Sequence, residues 1–218
     1  MIVKVCGIST AGIADVAVDA GADWLGLVFE RRSPRYVDDR AAAEVRAAAG
    51  SAADCVGVLV EPTPAAASAL IDRHRLAAVQ LHGRVEPDIV TEIDAPVIRG
   101  LNVIRPGEAL TAQWWPDGLV LLDSIGGGRD GLPGGTGIRL DWAAARHVAA
   151  HRRIVLAGGL TAENVAEAIA TVRPWGVDAS SALESSPGVK DAGRVRAFVA
   201  AARGALDRLA APATQAAL

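Results

Sequence analysis

The feature that most constrains this chain is an alternation: short apolar runs and longer alanine-rich segments follow one another about eight times. The runs at 2–6, 24–29, 55–60, 78–81, 97–102, 118–123, 153–157 and 176–179 have the length and apolar density of buried strands. Between them, 10–20, 38–49, 64–73, 86–93, 106–113, 141–150, 161–172 and 191–209 carry helical patterning. Thr10, Asp38, Asp141 and Thr161 stand where N-caps belong. Strand then helix, repeated, implies parallel strands joined by crossover helices. Eight such units suffice to close a barrel, whereas open doubly wound sheets of this size usually have fewer strands. The chain is therefore predicted to be α/β: a single (β/α)8 TIM barrel of eight parallel strands over 1–209, with 210–218 a flexible carboxy-terminal tail.

A chain of 218 residues, 51% hydrophobic and 22% charged, has the size and composition for one core of that kind. Net charge is −3, with acids and bases interspersed, so neither nucleic acid nor a membrane surface is expected as a partner. No run reaches the roughly 18 uninterrupted apolar residues of a membrane span. The first ten residues enter a strand directly rather than forming a leader. Cys6 and Cys55 lack metal-ligand spacing, and two thiols do not make a disulfide framework, so a cytoplasmic setting is expected. Cys55, opening the third strand, reads as packing only.

In such a barrel the chemistry sits at the carboxyl ends of the strands. By alternation, Cys6 and Asp123 point inward there, from the first and sixth strands. A thiol and a carboxyl at one mouth make an acid–base pair, although a buried cysteine serves equally as a small apolar packing residue. Gly158 and Gly159 follow the seventh strand, and Ser180 and Ser181 the eighth. Freed backbone N–H groups at a helix start suit a phosphate, with simple turn chemistry as the alternative. The loop at 30–36 is basic through Arg31, Arg32 and Arg35, and either grips a carboxylate or is a solvated charge run. The loop at 124–137, with seven glycines in fourteen residues, is expected to be a mobile lid. His82 and Asp178 should also face the top of the barrel, lining the pocket or lying beneath it.

Several of these residues fall within recurrent motifs: KVCGI at 4–8, GAD at 21–23, SPRYV at 33–37, VQLHG at 79–83 and LLD at 121–123. GGTG at 134–137, DW at 141–142, AGGL at 157–160, VDASS at 177–181 and PGVKD at 187–191 follow in order. This ordered set resembles the phosphoribosylanthranilate isomerases over nearly the whole chain. The resemblance implies an Amadori rearrangement of N-(5′-phosphoribosyl)anthranilate, a small-molecule substrate, to the corresponding 1-deoxyribulose. It implies that Asp123 is the general acid that opens the furanose ring and Cys6 the general base at C2′. Arg35 would hold the anthranilate carboxylate, and Gly158, Gly159, Ser180 and Ser181 the phosphate. No metal and no organic cofactor is expected, because the Schiff base itself is the electron sink. Both a monomer and a homodimer remain open.

The implied chemistry asks for an Asp123 with a raised pKa and a Cys6 thiolate favoured by a nearby cation. One position departs from the family pattern: Ala182 stands where Ser-Ser-Gly is usual. If that position needed a positive φ, alanine would be strained by roughly 1 kcal/mol or more. Lys4, Gln80, Arg99 and Asp178 are assigned inward phases, and a buried cation needs a partner. A cluster in which Asp178 offsets Lys4 or Arg99 is therefore expected, unless Arg99 turns toward the helices. Other phosphate-binding barrel enzymes are rivals, among them indoleglycerol-phosphate synthase and pentose-phosphate epimerases. The synthase needs a lysine set, and Lys4 and Lys190 are the chain's two lysines; the epimerase metal pattern is missing. A non-catalytic barrel that only binds is the other class.

Overall fold

A computed structural model describes residues 1–103, 108–124 and 141–210. Eight parallel strands close on themselves in chain order. They are β1 (Ile2–Cys6), β2 (Trp24–Val28), β3 (Asp54–Val60), β4 (Ala78–His82), β5 (Val97–Val103), β6 (Leu119–Ser124), β7 (Ile154–Leu156) and β8 (Gly176–Ala179). The ring is sealed by β1 against β8, with Lys4 opposite Asp178 in register. Helices α1 (Ala11–Asp19), α2 (Asp39–Ala49), α3 (Pro64–His74), α4 (Ile89–Glu92), α5 (Trp142–Ala149), α6 (Val165–Val172) and α7 (Ala192–Ala210) connect or follow the strands. No helix among the described residues is long and apolar enough to cross a membrane.

Alternation along the strands builds two apolar layers. Val3, Val5, Leu25, Leu27, Cys55, Leu81, Val120, Leu122 and Val177 face the helices and meet Ala14, Val45, Ala168, Ile169 and Phe198. Each fully buried large side chain there contributes about 1.5–3 kcal/mol. Cys55 belongs to this layer, where burial pushes its thiol up to about 11, an inert packing cysteine. Inside the barrel, Val56, Ala78, Ile98, Leu121, Val155 and Ala157 fill the floor. Lys4, Gln80, His82 and Asp178 add buried polar side chains to this interior.

Two expected caps hold: Asp38 accepts from the Ala41 N–H, and Asp141 from those of Ala143 and Ala144. Thr10 occupies its N-cap without a side-chain bond. The helix expected at 161–172 begins only at Val165, because the Asn164 carboxamide is spent on its own loop. The segment expected at 86–93 makes a single turn, ended by the extended backbone of Ile93. The segment at 106–113 forms a 3-10 helix over Glu108–Trp114. Its buried residues Ala109 and Ala112 are spaced three apart, the period of that tighter helix. A hairpin of β9 (Glu184–Ser186) and β10 (Val189–Lys190) follows β8 and was not anticipated. Ala210 closes α7, so it is not part of a tail; 211–218 and the expected lid at 125–137 lie outside the described residues.

Candidate active site

Cys6 ends β1 with its side chain inward and buried. Its in-register partner is Gly26, and a Cβ there would lie 2.8 Å from Cys6 Sγ, so the glycine makes room for the thiol. Two residues below, Lys4 is wholly buried and its Nζ sits 3.1 Å from Asp178 Oδ2. Burial alone would lower the Lys4 pKa, but the Asp178 carboxylate, joined by Cys6 once that is ionised, outweighs it and holds the ammonium above its usual value. A cation therefore does lie under the proposed base. Burial nevertheless pushes the Cys6 thiol up, against Lys4 and Lys190, so the thiolate is not the resting form.

Asp123, on β6, is partly exposed at the same mouth and aligned with Asn102 of β5. Burial and the charge of Asp178 raise its pKa to about 7, against the opposing effect of Lys4. A carboxyl that keeps its proton near neutrality can act as an acid there.

His82 lies deep in the upper interior, its ring flat against β5. A Cβ on Gly100 would come within 2.5 Å of His82 Cε1. Its Nε2 lies 2.7 Å from Gln80 Nε2, and its Nδ1 has no partner among the described residues. Burial, Lys4 and Arg99 hold its pKa at about 3, so the ring is neutral. Asp178 contacts Lys4, one of the two pairings expected of it. The inward phase expected of Arg99 is corrected. Ile98, not Arg99, takes an inward place on β5, and Arg99 donates to the Leu81 and Gly83 carbonyls and lies 5.4 Å from the Trp115 ring. A guanidinium satisfied by carbonyls outside the barrel avoids a second buried cation beside Lys4.

The loop after β7 is built on two left-handed glycines, Gly158 at φ +84° and Gly159 at φ +66°. A Cβ on Gly158 would run into Ser124. Asn164, buried, accepts from Thr161 N–H and donates to the Gly159 carbonyl, which fixes the turn. Sequence reasoning missed Asn164; its place three residues after Thr161 was the available signal. After β8, the Ser180 hydroxyl donates to the Cys6 carbonyl, tying β8 to β1. Ser181 opens a short 3-10 turn, Ser181–Leu183. Ala182, inside it, has no positive φ, so the suspected strain is absent.

Arg35 lies beside the β1 turn, where a Cβ on Gly7 would be 2.7 Å from Arg35 Cδ. Its Nε and Nη2 bind Glu184 Oε1 and Oε2 at 2.7 and 2.9 Å. Lys190 Nζ also binds Glu184, at 2.5 Å, and the Ser180 carbonyl at 3.1 Å. Glu184 and Lys190 were absent from the expected site. Among the described residues, no three His, Cys, Asp or Glu side chains converge as a metal set. A cavity of about 1190 Å³ opens at the opposite, amino ends of the strands, lined by Trp24, Asp54, Trp115 and Trp175. It contains none of the proposed catalytic residues.

The family model described as "N-(5′phosphoribosyl)anthranilate (PRA) isomerase" matches residues 3–201. A curated relative, N-(5′-phosphoribosyl)anthranilate isomerase of Rhodopseudomonas palustris, is 39% identical over 213 residues, covering 95% of this chain and 97% of its own. The crystal structure of phosphoribosyl anthranilate isomerase from Thermotoga maritima superposes with a TM-score of 0.86 at 33% identity, covering 94% of this chain and all of its own. A further solved isomerase of this kind, in complex with reduced 1-(o-carboxyphenylamino)-1-deoxyribulose 5-phosphate, gives 0.82 at 32% identity, with coverage of 94% and 100%.

Proposed function

Because this chain belongs to the N-(5′-phosphoribosyl)anthranilate isomerase family, we propose that it converts N-(5′-phosphoribosyl)anthranilate to 1-(2-carboxyphenylamino)-1-deoxyribulose 5-phosphate in tryptophan biosynthesis. It is an isomerase, and the substrate is an aminoaldose phosphate. Asp123 gives its proton to the furanose ring oxygen as the C1′–O bond breaks, and the nitrogen lone pair forms the C1′=N bond of a Schiff base. Cys6, as thiolate, takes the C2′ proton, and the released electron pair neutralises the iminium to give an enolamine. Loss of the O2′ proton and protonation at C1′ then yield the ketone, with no net gain or loss of atoms. Arg35 holds the anthranilate carboxylate. The phosphate is met by backbone N–H groups of the Gly158–Gly159 turn and of the Ser180–Ser181 segment.

One observation carries this reading: Cys6 and an Asp123 that stays protonated to about pH 7 crown the same barrel mouth, separated around the ring by β7 and β8. The lysine-based rival fits less well, because Lys4 and Lys190 are both buried in ion pairs with carboxylates. His82 lies low enough to support the mouth from beneath, and Asp178 acts through Lys4. The direct test is the loss of substrate fluorescence when purified protein is added to N-(5′-phosphoribosyl)anthranilate. Catalytic loss is expected; binding without turnover would leave a barrel that only binds.

A further inference from the structure

We propose that Glu184 is the positioning residue that sets Arg35 for the substrate's carboxylate, a role that rests on the reading of Arg35 given above. The hairpin of β9 and β10 places Glu184 directly across from Lys190. Around this one carboxylate, Arg35 Nε and Lys190 Nζ take Oε1, while Arg35 Nη2 and the Gly188 N–H take Oε2. A carboxylate has about four acceptor directions, so none is left for substrate or for proton transfer. Its side chain is only 4% exposed. Burial would favour the neutral acid, but Arg35 and Lys190 outweigh it and keep Glu184 below the usual carboxylate range.

The guanidinium has two edges suited to paired acceptors. Glu184 occupies the Nε–Nη2 edge; the Nη1 edge has no acceptor among the described residues. Rotation of the long side chain is thereby fixed before a ligand arrives, which is preorganisation in its simplest form. The hairpin tip is held in turn. Gly188 has φ +82°, and a side chain there would collide with the Pro34 carbonyl, so the tip abuts the loop that carries Arg35. Lys190 joins the same carboxylate to Ser180, so the two ends of the site share one anchor. Two cations facing one carboxylate leave a single net positive charge, suited to an anionic substrate.

The experiment compares kcat/KM for N-(5′-phosphoribosyl)anthranilate with that for N-(5′-phosphoribosyl)aniline, which lacks the carboxylate. It uses the full chain, Arg35→Ala, Glu184→Gln and the double variant, with inorganic phosphate inhibition as a control. Arg35→Ala and Glu184→Gln should each cut the preference for the carboxylated substrate by roughly ten- to hundredfold, mainly through KM. The double variant should lose no more than Arg35→Ala alone, and phosphate inhibition should persist in Glu184→Gln. An equal fall on both substrates in Glu184→Gln would overturn the proposal, because a purely structural tether acts that way. An unchanged preference in Arg35→Ala would instead remove the reading of Arg35 itself. Should Glu184→Gln not fold, Glu184→Asp keeps the charge one methylene short. It should lose part of the preference, and a wild-type preference there would also overturn the proposal.

Discussion

Asp123 and Cys6 are pushed the same way by the same cause, yet the proposed chemistry needs them in opposite states. Burial raises Asp123 to about 7 and lifts Cys6 above the ordinary thiol range. The productive form has Asp123 protonated and Cys6 ionised. Below pH 7 Asp123 keeps its proton, and each pH unit ionises about tenfold more Cys6, so kcat/KM rises. Above 7 Asp123 loses protons as fast as Cys6 does, and the profile flattens before it falls. A bend near pH 7 is therefore predicted. In Asp123→Asn the residual activity should climb through that point without bending, and a bend that persists would belong to another group. At this scale the sequence was legible wherever alternation decides orientation, as for Cys6, Lys4 and Asp178. Arg99 was misplaced because a long cation within an apolar run satisfies either face until the strand register is known. The Cys6 thiolate was not legible, because the neighbouring charge could be read from the chain but the depth of burial could not.

The connecting elements carry the residues proposed for binding, and they were unevenly legible. Gly158 and Gly159 stood out as a pair after an apolar run, and both take the left-handed conformation that glycine favours. In Gly158→Ala the positive φ and the collision with Ser124 act together. A loss of about 1–3 kcal/mol is expected, or roughly 2–4 °C in Tm for each kcal/mol, with KM for the phosphorylated substrate raised and inorganic phosphate inhibition weakened. Unaltered phosphate inhibition in a folded variant would remove this turn from the site. The hairpin carrying Glu184 and Lys190 escaped sequence reading for a physical reason. Its strands, ESS and VK, are three and two residues long, too short for any alternation to show. The overlong prediction at 161–172 has a similar origin, since the bonds made by Asn164 are settled only once Gly159 has turned.

At the scale of the whole molecule, one register assembles the proposed site. Closing β8 onto β1 sets Lys4 against Asp178, and the same closure lets the Ser180 hydroxyl reach the carbonyl of Cys6. The barrel was legible from its eightfold alternation because each strand had to be apolar on its helix-facing side. Its polar upper interior was legible only in part, because pairings across the ring depend on which strands close it. The division of base and acid between two strands, β1 and β6, at one mouth is what we propose. It is tested most directly by steady-state turnover of Cys6→Ala and Asp123→Asn, each checked for an intact cooperative thermal transition. Each variant should melt much as the wild type does while kcat falls by about 10²–10⁴-fold. Near-wild-type turnover in either folded variant would contradict it.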